Sequence, residues 1–439
     1  MRVLAAAAAL VTLAVGLGAA RAVEDDPTFG PIIEIERIDI VGATTNVDII
    51  RREILVKPGE RLRSGDPRFN RSRFRVLALG YFSDVKLRVD KGSQPGAVVL
   101  VVEVVERGTF TLNRIFLGTS DETSVWAGLD LGDTNVFGSG VGVAVGGVWA
   151  HEPDIPGGRT QGSLRLRLAD ERVLGSDWGI HGTGIYTVAS EAIPGADGAF
   201  SALNYKRAGG TVGATWDFAS LMRVSADVRV ESISAPDAVA DGLRMRPGRS
   251  LVSTVTFGFE RDTRPDPILP YRGRRIAFSL EAGFGDYEFA KGQASYGVWT
   301  TLAERHVLGL RLSGGLILGA SPRFDQFYVG DVNPLLPPRP LDLLVSTRPS
   351  FDLLGTGADQ VLSGDVYAGA SVEYAFQLFR GPRTVYGGDL FVSVGAYALG
   401  SRAPFSAPVD LTFNLGLRLD TFIGVFELSL GNALGRLPL

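Results

Sequence analysis

Apolar residues in this chain alternate with polar or small ones instead of running together, and that pattern restricts the fold more than any motif does. Residues 255–284 show it. Ile276, Phe278, Leu280 and Ala282 take every second position, and Ala277, Ser279, Glu281 and Gly283 lie between them. A strand has period 2, so the segment has one greasy and one polar or small face. Phe257 and Phe259 end the preceding strand, and Pro265, Pro267, Pro270 and Gly273 force the turn between the two. Most of the sequence after about residue 108 repeats this hairpin unit with other turns.

The 439 residues are 45% hydrophobic and 21% charged, with 56 Gly and no Cys, and the mean hydropathy is +0.15. Beyond the N-terminus no apolar run reaches the roughly 18–20 residues of a membrane helix. Hydrophobicity spread by alternation suits a transmembrane β-barrel, since only helices and closed barrels satisfy every backbone group in lipid. A soluble sandwich, with its core between two sheets, is the competing architecture. Residues 1–22 read as an export signal: Arg2 at the charged end, an apolar stretch over 4–17, and Ala20-Arg21-Ala22 as the cleavage site. Residues 23–31, with acidic Glu24-Asp25-Asp26, read as a linker. The net charge of −4 argues against nucleic acid as a partner.

Residues 32–107 differ from the rest. A strand through Ile33, Ile35, Ile38 and Ile40 ends at Gly42. Thr45-Asn46 can cap a helix over 47–56, and Pro58-Gly59 stops it. A second helix is expected over 67–79, then strands through 85–89 and 97–105. The order strand, helix, helix, strand, strand, with Ile38-Asp39-Ile40-Val41-Gly42, the Gly59-Glu60-Arg61 turn, Leu79-Gly80-Tyr81-Phe82-Ser83-Asp84-Val85 and the apolar strand 99–104, resembles a POTRA domain.

From residue 109 to 432 fifteen strands are expected, and 108–439 forms one barrel with a long loop at 321–360. Arg165 and Arg167 alternate with Leu164, Leu166 and Leu168, and Arg418 alternates with Leu415, Leu417 and Leu419. A charge facing lipid near the midplane costs about 2–4 kcal/mol, so the arginines should face the lumen and the leucines lipid. Two turns carry a further resemblance. Asp133-Thr134-Asn135-Val136-Phe137-Gly138-Ser139-Gly140 is similar to the Asp-x-Asn-x-x-Gly-x-Gly turn of the Omp85 superfamily. Asp262-Thr263-Arg264, with Pro270-Tyr271-Arg272-Gly273, is similar to its Asp-x-Arg … Pro-x-x-Gly turn. Each is turn chemistry found anywhere; their joint occurrence in order behind a POTRA-like module carries the resemblance.

Three departures from that family stand out. Its sixth extracellular loop carries an Arg-Gly-aromatic tip folded into the lumen. Here the loop opens with Phe327-Tyr328-Val329-Gly330, as the family's does, but contains no such tip. Where the family has an aspartate that pairs with the tip arginine, Ser393 stands, while the matching Glu373 remains. The sequence printed ends at Leu439, soon after the fifteenth strand, and the family's aromatic-ended last strand is not evident. A lone buried carboxylate needs a cation. Arg348 and then Arg339 are the loop candidates for Glu373, with lumenal Arg165, Arg167 or Arg418 as the alternative.

His151, His181 and His306 are far apart and no Cys is present, so no metal-ligand spacing exists. No glycine-rich run opens a helix that could cradle phosphate. No enzyme and no cofactor are expected. The expectation is an all-β transmembrane barrel of about 16 antiparallel strands behind one α+β POTRA domain. The resemblance implies a bacterial outer-membrane assembly factor of the BamA/TamA type with its POTRA domain in the periplasm. Its partners would be unfolded outer-membrane protein clients, outer-membrane lipid, and periplasmic chaperones or accessory lipoproteins. It implies client capture along Val85, Lys86, Leu87, Arg88 and Val89 by strand addition. A two-partner-secretion-type translocator or pore, and a structural surface-antigen barrel, are the alternatives.

Overall fold

The structure, a computed structural model, describes residues 30–119, 123–173, 176–194, 199–219, 221–236, 243–265, 269–332, 339–345, 363–380, 385–421 and 424–436. The expected export signal and most of the linker lie outside these. The chain divides between Arg107 and Gly108 into two units.

The N-terminal unit runs β1 (Ile32–Val41), α1 (Val47–Arg52), β2 (Arg61–Arg63), α2 (Arg68–Ala78), β3 (Phe82–Lys91) and β4 (Ala97–Glu106), with sheet order β2-β1-β4-β3. Asn46 caps α1, accepting from the Asp48 N–H at 3.0 Å. The helix ends at Arg52 and not at Val56. Buried Ile54 and Val56 reach the core from the non-helical chain that follows, whose Leu55 N–H donates to Ser72 Oγ at 2.9 Å. The segment read as a turn at Gly59–Arg61 continues as β2, pairing antiparallel with the start of β1 and burying Leu62. Three residues are too short for alternation to reveal a strand. The helices cover one face of the sheet around Ile35, Ile50, Val76, Val85, Leu100 and Val102. The other long edge of the sheet is β3.

The second unit is a 16-stranded antiparallel sheet. Fifteen strands form its unbroken path: β5 (Phe110–Gly118), β6 (Trp126–Asp133), β7 (Val141–Ala150), β8 (Gln161–Asp170), β9 (Trp178–Pro194), β10 (Phe200–Ala219), β11 (Met222–Ser234), β12 (Arg249–Asp262), β13 (Gly273–Gly285), β14 (Phe289–Ala303), β15 (His306–Gly319), β18 (Val366–Arg380), β19 (Val385–Arg402), β21 (Val409–Thr421) and β22 (Gly424–Arg436). The two-residue β20 (Phe405–Ser406) pairs with β19, while β16 (Phe327–Tyr328) and β17 (Ser363–Gly364) form a separate two-stranded ladder inside the long connection between β15 and β18. The sheet curls until Cα atoms of β22 come within 8 Å of β5. Among the described residues no ladder joins those two strands.

The faces are inverted relative to a water-soluble protein. Leu164, Leu166, Leu168 and Leu415 are exposed, while Gln161, Ser163, Thr187, Glu231, Glu373 and Asn414 are buried. Apolar surface outside and polar groups inside is the arrangement lipid demands, and no second sheet covers the outer face among the described residues. We call the end at which Gly108 leads into β5 the proximal end. Near it, Trp178 stacks on Trp216 at 5.3 Å and Phe259 on Phe278 at 5.2 Å, across β9, β10, β12 and β13 on the outer face. Such rings form the interfacial girdle of membrane barrels.

Cysteine placed at residue 167 should react with a bulky aqueous thiol reagent in membranes, whereas cysteine at 166 should be protected; equal labelling of both would refute the assignment of faces. In the N-terminal unit, Glu106 accepts hydrogen bonds from the Thr44 N–H (2.7 Å) and the Thr45 N–H (2.6 Å). Burial raises its pKa, but the bonds from Thr44 and Thr45 outweigh burial and hold the carboxyl below its ordinary value. A group with a lowered folded pKa stabilises the fold above its unfolded value, and that contribution is lost as pH falls through the folded one. Amide protection at residues 44 and 45, corrected for intrinsic exchange, should therefore decline below about pH 4. Glu106→Gln should remove most of this acid response; an unchanged response in the variant would reject Glu106 as its source.

Candidate functional site

The long loop between β15 and β18 turns into the lumen and supplies much of the barrel's interior. Its first part is a 3-10 turn, Arg323–Asp325, followed by β16 and the short α3 (Val329–Val332). Phe324, Phe327, Tyr328, Val329, Leu341 and Leu343 are buried with wall residues Trp126, Tyr205, Ile233 and Ile317 in one cluster.

Charges fix the turn. Arg229 on β11 donates both terminal nitrogens to Asp325, at 2.8 and 2.5 Å, and one of them also to Glu281 on β13 at 2.9 Å. Lys291 on β14 donates to the Asp325 carbonyl at 2.8 Å. Two residues earlier, Arg323 reaches Glu191 on β9 at 2.6 Å, and Glu191 also accepts from the Tyr205 hydroxyl. Arg207 on β10 lies over the Phe324 ring at 3.8 Å and pairs with Glu231 at 2.7 Å, both nearly fully buried. The turn thus inserts one cation and one anion into complementary sockets on the wall. Charged pairs this enclosed are held strongly only when both partners stay. Farther on, the Leu341 carbonyl accepts from Ser163 Oγ at 2.7 Å, which ties the second part of the loop to β8.

The sequence candidates for the lock fall elsewhere. Glu373 is buried and faces the lumen, but its partners are Arg311 on β15 (3.4 Å) and Arg418 on β21 (3.3 Å). Arg339 does not reach it; it donates to the carbonyls of Phe324 and Gln326, the latter at 2.5 Å, bracing the loop against itself. The expected Arg339–Glu373 lock is therefore corrected to wall arginines, one of them the Arg418 alternative. These need no loop ordering to reach the carboxylate. Arg348 lies outside the described residues. Ser393 sits directly across the ladder from Glu373 and next to Asn414.

Both turn motifs lie at the proximal end. Asp133 accepts from the Asn135 N–H (2.9 Å), and Asn135 accepts from the Gly140 N–H (2.7 Å). Gly138 has φ 71°, a region that suits glycine. The turn projects Phe137 fully into solvent. Asp262 binds Arg264 through its side chain at 2.6 Å, and the guanidinium lies 5.0 Å from the Trp299 ring centroid. At Gly273, φ is 104° and a Cβ would meet the Thr263 carbonyl oxygen at 2.7 Å, so glycine is required. Pro270 and Arg264 line a lumenal cavity of about 560 Å³ with Arg275, Arg311, Arg418 and Glu427. A second cavity, of about 580 Å³, lies between Arg114, Arg207, Arg229, Lys291 and Asp325, and Val332 of the loop touches both. In the N-terminal unit, Val85 to Val89 lie on the sheet edge β3, where Arg73 of α2 donates to the Val85 carbonyl at 2.6 Å.

Sequence reasoning missed Arg323, Asp325, Glu191, Glu281 and Lys291. The available signal was chemical: Arg323-Phe324-Asp325 puts opposite charges two residues apart at the loop entrance, and Arg229 and Glu231 alternate with Val228 and Val230 on the wall. Arg229→Ala leaves Asp325 and Glu281 buried without their shared cation, a change of about 3 kcal/mol. The loop should then become protease-sensitive in liposomes, and Glu373→Gln, whose ion pairs are all with strands, should leave sensitivity unchanged. A resistant Arg229→Ala loop would rule out the latch.

Residues 116–436 match the Omp85 superfamily domain and residues 33–107 the surface antigen variable number repeat, a POTRA module. The chain is 28% identical over 154 residues to the outer membrane protein assembly factor BamA of Nitratidesulfovibrio vulgaris; the match covers 33% of this chain and 18% of that protein. In fold it resembles BamA from Haemophilus ducreyi lacking POTRA domains 1–3 (TM-score 0.61, 12% identity, 92% of this chain and 82% of the other). It resembles CdiB from Escherichia coli equally well (TM-score 0.63, 11% identity, 92% and 73%). With an inside-out antiparallel sheet behind a POTRA module, and a domain match over most of its length, the chain belongs to the Omp85 superfamily.

Proposed function

We propose that this protein sits in the bacterial outer membrane with its POTRA domain in the periplasm, and that it assists the insertion of unfolded outer-membrane protein clients. The observation that carries this reading is the pairing of an inside-out barrel sheet with a POTRA sheet whose edge strand β3 pairs only with β4 among the described residues. An edge strand offers unpaired backbone groups to an extended partner. Similarity to BamA supports the reading, while the equal likeness to CdiB gives the fold alone. A translocating pore is the second reading, favoured by the two cavities that meet at Val332 of the loop.

Capture is assigned to the POTRA edge β3. The Val85 carbonyl faces away from β4, so with period 2 the backbone groups of Leu87 and Val89 do too. Arg73 occupies one of these acceptors, and a client strand would pair beyond it.

Two measurements test the proposal. Protein reconstituted in liposomes should accelerate folding of a client barrel; ion conductance with no acceleration would favour the pore, and neither effect would leave a structural barrel. Val89→Pro removes an edge donor without breaking the ladder to β4, so it should lower client cross-linking to the POTRA domain several-fold. Unchanged cross-linking would discard this edge.

A further inference from the structure

The arginines at the proximal ends of β11, β12 and β13 divide by face. Arg223, Arg264 and Arg275 lie on the lumenal side, and each has a carboxylate: Asp217 at 2.7 Å, Asp262 at 2.6 Å and Glu260 at 2.7 Å. Arg261 and Arg274 lie on the other side. Arg261 stands two residues beyond Phe259 on β12 and directly opposite Ile276 on β13, and Arg274 is two residues before Ile276. Period 2 puts both on the outer face with Phe259 and Phe278, diagonal to each other across the ladder. Arg274 is exposed and Arg261 half-buried, and among the described residues neither side chain makes an ion pair. The backbone under Arg274 is fixed, its N–H donating to Thr263 Oγ1 at 2.8 Å and its carbonyl accepting from the Thr263 N–H at 2.9 Å. Beside the two arginines the rings of Trp178, Trp216, Phe218, Phe259 and Phe278 form one continuous row, with successive centroids 5.3, 5.7, 6.5 and 5.2 Å apart.

We propose that Arg261 and Arg274 bind the phosphodiester headgroup of an acidic glycerophospholipid in the proximal leaflet. This inference rests on the outer-membrane reading and adds a lipid preference to it. An aromatic row marks the level at which hydrocarbon gives way to headgroups. A guanidinium at that level lays its stem along the apolar wall and keeps its charged end among the phosphates. The phosphate oxygens accept its parallel N–H groups two at a time. A zwitterionic headgroup brings its own ammonium, which offsets the attraction. An acidic headgroup brings net negative charge, and two cations without carboxylates favour it. The arginines continue the lipid-facing surface, so lipid is the occupant that meets both the rings and the charges. The bound headgroup also sets the depth of the turn between β12 and β13, whose inward residues Arg264, Pro270 and Arg275 line the 560 Å³ cavity.

The test uses the full chain in liposomes. The sequence has no cysteine, so Ile276→Cys and, on the outer face near the proximal end of β21, Leu419→Cys each carry a single fluorescent label. Quenching is compared between brominated phosphatidylglycerol and brominated phosphatidylcholine. At 276 phosphatidylglycerol should bind about tenfold more tightly, and at 419 the two lipids should be equal. Arg261→Gln combined with Arg274→Gln should abolish the preference at 276, and Arg261→Lys with Arg274→Lys should keep part of it. If the double glutamine variant does not reach the folded, heat-modifiable form, salt decides: raising it from about 0.05 to about 0.5 M should remove most of the preference at 276. Equal quenching by the two lipids at 276, or the same preference at 419, overturns the site and leaves the outer-membrane reading standing. No quenching at either position overturns both.

Discussion

Every backbone N–H and C=O that lies in hydrocarbon must find a partner within the protein, and the rest of this molecule follows from that requirement. A sheet meets it by running strand to strand without a break, as β5 to β22 do. Period 2 then puts half of each strand's side chains inside, where arginine and glutamate stand in place of the leucine a soluble core would use. Those interior charges need counter-charges. The wall supplies some, as with Arg207 and Glu231. The long loop supplies others, with Asp325 for Arg229 and Arg323 for Glu191, so its inward fold answers the electrostatics of the lumen as much as its own apolar residues.

The strands were legible in the sequence because their signal is local: alternation along a segment places β8, β13 and β21 without knowledge of what they face. The order of the N-terminal unit was legible for the same reason. The short strand β2 and the early end of α1 were not, since three residues carry no period and Ile54 and Val56 look helical by spacing although they pack from the chain after the helix. The loop lock was hidden for another reason. Arg229 and Asp325 are 96 positions apart, and Arg323 and Glu191 are 132 apart. Pairings at that range depend on how far the sheet has curled, which no window of sequence reports. Glu373 invited a loop partner because a lone carboxylate must have a cation, and that argument was sound; it could not say that Arg311 and Arg418 were nearer.

The two turn motifs link local chemistry to the lumen. Asp262 organises its own turn, yet its partner Arg264 reaches over Trp299 into the proximal cavity. A residue pair that fixes a connection therefore also shapes the chamber on the side from which the chain enters the barrel. Asn135 ties down its turn and leaves Phe137 projecting.

The 3-10 turn that latches the loop carries Arg323 and Asp325 together, one charge of each sign. When the turn leaves its sockets, it moves a dipole and no net charge. Work done by an electric field on a translated segment scales with the net charge displaced, so withdrawal of this turn would carry no net charge across the membrane. What drives the loop out must instead compete for Arg229 and Glu191 directly, by offering them other partners.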